Sequence, residues 1–309
     1  MRSSRAVTAW AAAAALGLAG CDRDGPAGSS PLDAPLERPE PGDRVHAAAL
    51  IEAGRSAAAA GNFEAASDRF SAAVSADPAS VEGHLELGFV RLERLAVTDY
   101  GAALTDFRLA GLLDPGNPFA ACGEGIARQQ LGDLDHAEPL LRAALAAESL
   151  RKSGDACMFA LAALARIEAV RGHAETALAL YAEAAALPTA PAAARAVYAA
   201  LRAELLDEQG DAAAAEKESR IAIERDPKNL RAHHQLARLL ARRGATAEAA
   251  IEAKRHELLR QLADHTTPRY AKDKTRRVAL WQELAAAWPE WSGAKEELAR
   301  AQAEVDDNR

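Results

Sequence analysis

Aromatic residues are scarce in this chain. Six Phe, four Tyr and four Trp make up 5% of the 309 residues, although 49% are hydrophobic. Alanine supplies much of that apolar count. It is the best helix former and the smallest packer, so the composition argues for many helices packed at close range. A basic surplus is also missing: 37 Lys and Arg stand against 45 Asp and Glu, a formal net charge of -8. That excludes the cationic footprint of a nucleic-acid-binding protein. No apolar run reaches the ~20 residues that cross a bilayer as a helix. Nor is there a Gly-rich phosphate loop after a strand, a His-Glu-x-x-His or a Cys-x-x-Cys. The sequence therefore offers no catalytic residue, cofactor site or small-molecule substrate site. His233 and His234, with His256, do not make a metal site. Adjacent helical residues point in different directions, and no ligand four residues on joins either.

Cysteine is nearly absent too, with three residues in the chain. The first has telling flanks. The sequence opens MRSSRAVTAWAAAAALGLAGCDRDGPAGSSP. Arg2 and Arg5 form a positive n-region, and residues 6–20 an apolar h-region of about 15 residues. The stretch Leu18-Ala19-Gly20-Cys21 resembles the bacterial lipobox, in which a diacylglycerol is attached to the cysteine thiol and the peptide is cut just before it. The resemblance implies that residues 1–20 are a lipoprotein signal peptide and Cys21 the lipidation site. The acyl chains then anchor the protein to a membrane without spanning it. An ordinary secretory signal cut nearby, with Cys21 incidental, is the alternative. Residues 22–44 hold five prolines and several charges without an apolar period. Residues 21–45 are thus expected to be the lipidated cysteine and a disordered or extended tether.

From about residue 46 the texture becomes Ala/Leu/Glu/Arg with helical spacing and repeats itself. Segments open at Gly61, Gly132, Gly172, Gly210 and Gly244, and DYGAALTDFRLAGLLDP carries the same pattern without the glycine. A small residue recurs at Ala66, Ala103, Ala137, Ala177, Ala215 and Ala249. A bulky one follows at Phe70, Phe107, Leu141 and Tyr181, and a second small one at Ala73, Ala110, Ala144, Ala184 and Ala222. Pro78, Pro115 and Pro227 close three units, with Pro188 one position early. The glycine suits a tight turn of positive φ. The small residues let helices approach, and the bulky one fills the gap. The proline ends a helix.

This pattern resembles the tetratricopeptide repeat, a 34-residue helix–turn–helix unit. The resemblance implies an all-α solenoid of helical hairpins with a right-handed superhelix. Six repeats are expected within residues 46–263: 47–80, 81–117, 118–151, 158–191, 196–229 and 230–263. The match weakens where Ser219 and Ala253 occupy the bulky position and His256 the second small one. In residues 264–309, Leu280, Trp281, Leu284 and Trp288 share one helical face, and a polar final helix follows. This tail reads as a capping helix pair, since a repeat array needs a polar outer face at its end.

In the repeat family, positions 2, 5, 9 and 12 of each first helix line the concave groove that binds a protein or peptide. The resemblance implies a groove containing Leu85, Phe89, Leu92, Phe119, Cys122, Ile126, Phe159 and Arg166. Its cationic end holds Arg231, His234, Arg238 and Arg242. The alternative is that the aromatics are core. Cys122 and Cys157 either form a disulfide between neighbouring repeats or remain buried thiols, a matter of geometry. The overall plan, lipobox plus repeats, is similar to pilotin lipoproteins and other repeat lipoproteins of the bacterial envelope. It implies a membrane-anchored scaffold for an envelope complex, held on the periplasmic side. The alternative is an accessory or regulatory subunit of a secreted or membrane enzyme.

Overall fold

The computed structural model of the chain describes residues 31–93, 97–264 and 273–306. The expected signal peptide, residues 1–20, and the expected lipidation site Cys21 lie outside the described residues. Among the described residues there are fifteen α-helices and no strand. They are α1 (Arg44–Ala59), α2 (Phe63–Ala76), α3 (Val81–Glu93), α4 (Val97–Leu113), α5 (Pro118–Gln130), α6 (Leu134–Ala146), the single-turn α7 (Glu148–Lys152) and α8 (Asp155–Val170). Then come α9 (Ala174–Ala186), α10 (Ala192–Glu208), α11 (Ala212–Arg225), α12 (Leu230–Arg242), α13 (Thr246–Asp264), α14 (Lys274–Ala287) and α15 (Ser292–Asp306). No described helix is long and apolar enough to cross a membrane.

Each repeated glycine sits between the two helices of a hairpin with φ between 77° and 85°. At Gly172 the next amide, of His173, donates back to the Glu168 carbonyl at 2.8 Å, while the Gly172 amide donates to Ala169. Only glycine enters that left-handed turn without penalty, and the paired bonds satisfy carbonyls left open at the end of the first helix. The same back-bond recurs from Asn62 to Ala57, Asp133 to Arg128, Asp211 to Leu206 and Ala245 to Leu240. Asn62 and Asp211 then accept from Ala65 and Ala214, capping the second helix.

The chain divides into two compact units, Met1–Tyr198 and Ala199–Arg309, the boundary falling inside α10. In the first unit, α1/α2, α3/α4, α5/α6 and α8/α9 are antiparallel hairpins, and α1, α3, α5 and α8 lie side by side. All the repeated alanines of this unit are buried, as are Phe70, Phe107, Leu141 and Tyr181. The bulky residue of the second helix lies against a glycine of the first. A Cβ on Gly54 would meet the Phe70 ring at 2.5 Å, and one on Gly88 the Phe107 ring at 2.8 Å.

In the second unit, Ala199 and Ala200 of α10 pack with Ala222 and Ala232. Leu236 and Leu240 of α12 pack with Ala249. Ser219, at the bulky position of the fifth repeat, is buried and bonds the Ala215 carbonyl within its own helix at 2.9 Å. Ala253 at that position of the sixth is exposed. There α13 turns Leu258, Leu259 and Leu262 onto Leu280, Trp281 and Leu284 instead. The four residues expected on one face of the tail, Leu280, Trp281, Leu284 and Trp288, are all buried.

The tether was expected to be disordered or extended up to about residue 45, yet residues 31–43 are docked on the first unit. After a 3-10 turn at Pro31–Asp33 the segment runs without regular structure to α1. Asp33 pairs with Arg128 at 2.5 Å, and Arg108 donates to the Leu32 and Ala34 carbonyls at 2.7 and 2.8 Å. At the far end, Gly42 donates to the Asp77 carboxylate and Asp43 to the Ala76 carbonyl, both at 2.8 Å. Composition argues for disorder only in a segment with no partners. Here two arginines far along the chain supply them.

Candidate interaction surface

The side-by-side first helices α3, α5 and α8 set out a strip of side chains on the first unit. Leu85, Phe89, Phe119 and Arg166 are half-buried and reach the surface of that strip. The Phe89 ring stands edge-on to Phe107, with centroids 4.9 Å apart, so its inner edge is core and its outer edge open. The other predicted groove residues do not line an open surface: Leu92, Cys122, Ile126 and Phe159 are 1%, 0%, 1% and 4% exposed. The physical reason is spacing. The first helices α3, α5 and α8 pack side by side, and neighbouring elements cover these side chains. The Cys122 thiol lies 3.7 Å from the Ala156 carbonyl of α8. Cys122 and Cys157 are free and buried. Burial pushes the Cys122 thiol up to about 12 and raises that of Cys157 as well.

The cationic end of the predicted groove, on the second unit, is compensated in part, three arginines facing two carboxylates. Arg231 donates to Glu204 at 3.1 Å, Arg238 lies 3.8 Å from Asp207, and Arg242 pairs with the same Asp207. Burial raises the Glu204 carboxyl, with Arg231 pulling the other way. The cationic residues expected there take part in ion pairs that join α12 to α10. A similar staple operates in the first unit, where Arg55 of α1 bridges Glu52, Glu82 and Glu86. His234 faces His256 with ring centroids 5.2 Å apart, and His256 donates to the Leu230 carbonyl at 3.0 Å. No group of three or more potential metal ligands occurs among the described residues.

The sequence reading missed one polar device. His84, buried, reaches the Pro78 carbonyl through Nε2 at 3.0 Å and the Asp106 carboxylate through Nδ1 at 3.1 Å. His233 repeats the arrangement with Pro227 at 3.0 Å and Glu252 at 2.6 Å. The carbonyl accepts only, so Nε2 is the donor to it in both repeats. Burial opposes charge on Glu252, but His233 and Arg255 overcome it and hold the carboxyl below the usual range. The legible signal is the spacing: in both repeats a histidine stands six residues after the closing proline. The device ties each repeat's first helix to the preceding proline turn and to its own second helix.

No family model matches the chain. No curated protein matches it. Solved structures do. A chain of the APC/C hetero-tetramer Cut9-Hcn1 superposes with a TM-score of 0.56 at 15% identity, covering 82% of this chain and 42% of that one. Pseudomonas aeruginosa pilF gives 0.52 at 16% identity, over 83% of this chain and 98% of that one. Human IFIT1, solved as a dimer with PPP-AAAA, gives 0.54 at 16% identity, over 78% and 59%. The chain thus spans less than half the length of the Cut9-Hcn1 chain it matches. These neighbours are tetratricopeptide-repeat proteins, and the helical hairpins here have that fold.

Proposed function

We propose that this chain is a protein-interaction scaffold without catalytic activity of its own, held to a bacterial envelope membrane by a lipid on Cys21. The observation that carries the scaffold reading is the open strip of Leu85, Phe89 and Phe119 beside Arg166, on helices whose repeat geometry is suited to extended binding surfaces. A strip of half-buried apolar edges fits an apolar peptide or helix of a partner. Lipid attachment rests on Leu18-Ala19-Gly20-Cys21 and its flanks, and the periplasmic side follows from the signal-like n- and h-regions. Anchoring and binding together make the chain an assembly factor that brings an envelope protein to a membrane. The oligonucleotide in the IFIT1 structure is not part of this reading. An acid surplus and paired arginines are poor terms for nucleic acid.

Two measurements test it. Full-length protein and a Leu85→Glu, Phe119→Glu variant are expressed in a bacterial host and used to capture partners from envelope extract. The scaffold reading expects a defined partner with the first and its loss with a variant of unchanged helicity. Equal capture by both sinks the strip. Metabolic labelling with an alkyne fatty acid is expected to mark the wild type and not Cys21→Ser; label on neither removes the lipid anchor.

A further inference from the structure

The docked segment points to a second binding surface besides the strip on α3, α5 and α8. A cleft of about 550 Å³ opens among α4, α5 and α6, and of residues 31–43 only Leu36 lines it. Its walls are apolar, with Leu112, Pro118, Ala121 and Leu140 among them, and Arg108 and Glu124 stand on its lining. One leucine side chain fills such a space only in part.

Two arginines prepare the approach. Arg128 is nearly fully buried, and its guanidinium is held by Glu124 at 2.9 Å and Asp133 at 2.6 Å while reaching Asp33. A buried guanidinium with two fixed carboxylates is pre-positioned for a third acid, which adds little ordering cost. Arg108 hydrogen-bonds the main chain of the segment. It bridges two main-chain carbonyls, which any peptide in the same conformation presents. The surface therefore reads an acidic residue, main-chain carbonyls on either side of it, and an apolar residue three positions on.

We infer that the cleft, together with Arg108 and Arg128 beside it, is a peptide-binding site held in cis by Asp33 and Leu36, and that its ligand in trans is a partner segment with an acid followed three residues later by a bulky apolar side chain. The cis copy acts as a competitor at high effective concentration, so binding is weak until the segment is displaced. The interaction goes beyond the strip on α3, α5 and α8 and does not depend on it.

The test uses the full chain and a fluorescent synthetic peptide of residues 31–43. An Asp33→Ala, Leu36→Ala variant weakens the cis segment and leaves the cleft walls on α4, α5 and α6 unchanged. Fluorescence anisotropy is expected to show saturable binding to this variant, and at least about tenfold weaker binding to the wild type, where the intact cis copy competes. A peptide carrying Asp33→Lys and Leu36→Gln is expected to bind neither. No binding to the variant, equal binding to both proteins, or equal binding of both peptides would overturn the proposal. Because the discriminating changes lie in the segment and the peptide, the result does not hinge on altering the core residue Arg128.

Discussion

Phe107 is the point where three helices meet, and it allows a sharp test of how this array is held together. The ring is fully buried on α4, edge-on to Phe89 of α3, and pressed against the backbone of two glycines. A Cβ placed on Gly88 would lie 2.8 Å from it, and one on Gly123 of α5 only 2.1 Å. Ordinary contact begins at 3.4 Å, so Gly123→Ala forces the ring or α5 to shift. Overpacking of this kind costs about 1–3 kcal/mol. Removing the ring by Phe107→Ala leaves a cavity and costs about 3–5 kcal/mol. In that background the clash vanishes, and alanine is a better helix former than glycine by about 0.8–1 kcal/mol. Gly123→Ala should therefore change sign: destabilising in the wild type, neutral or stabilising beside Phe107→Ala. Urea unfolding followed by circular dichroism at 222 nm, on the four proteins of the cycle, reads this as opposite shifts in midpoint. A Gly123→Ala penalty of equal size in both backgrounds would refute the wedge argument.

Other outcomes follow from the polar groups and thiols. His233→Ala removes partners from both the Pro227 carbonyl and Glu252. It should cost about 1–3 kcal/mol for the buried groups left unsatisfied, with His84→Ala of similar size, measured by thermal or urea unfolding. A loss under about 0.5 kcal/mol at both sites, the size of an ordinary surface change, would mean that the device is not structural. The Arg128 guanidinium beside Asp33 holds its carboxyl below the usual carboxylate range. The contribution of this contact to docking is thus full above the ordinary carboxylate pKa and lost as pH falls through the depressed value. Amide exchange of residues 32–36, normalised to the unfolded-chain rate, should show protection falling on acidification below about pH 4. Asp33→Asn should be less protected throughout and lack that step; identical profiles would detach docking from this pair. With its thiol pushed up to about 12 and its side chain inaccessible, Cys122 should resist a thiol reagent at pH 8 in the native protein and react in urea. Modification of Cys122 in the native protein at the unfolded rate would contradict its burial.

Much of this molecule is local and therefore readable. The glycine turns follow from a backbone angle that only glycine adopts cheaply. The small and bulky positions follow from helical spacing, and all five repeated glycines and all the repeated alanines stand where the pattern places them. Even the exceptions were visible as exceptions. Ser219 bonds its own helix, and Ala253 is left outside a core that Leu258 and Leu262 fill. A repeat position names a face of a helix, but not how close the next helix comes. That distance left Phe119 and Leu85 at the surface and buried Cys122 and Phe159 among their neighbours. Charge is the same case: Arg231, Arg238 and Arg242 read as a cationic end of the groove, and only the fold sets Glu204 and Asp207 opposite them. Residues 31–43 are the extreme one. Prolines and charges leave no period to read, and the order of this segment rests on Arg108 and Arg128, 74 to 95 residues along the chain. Sequence determined the hairpins, because each is closed by short-range bonds and angles. Tertiary structure alone decided which surfaces stay open, because that depends on what distant parts of the chain bring to cover them.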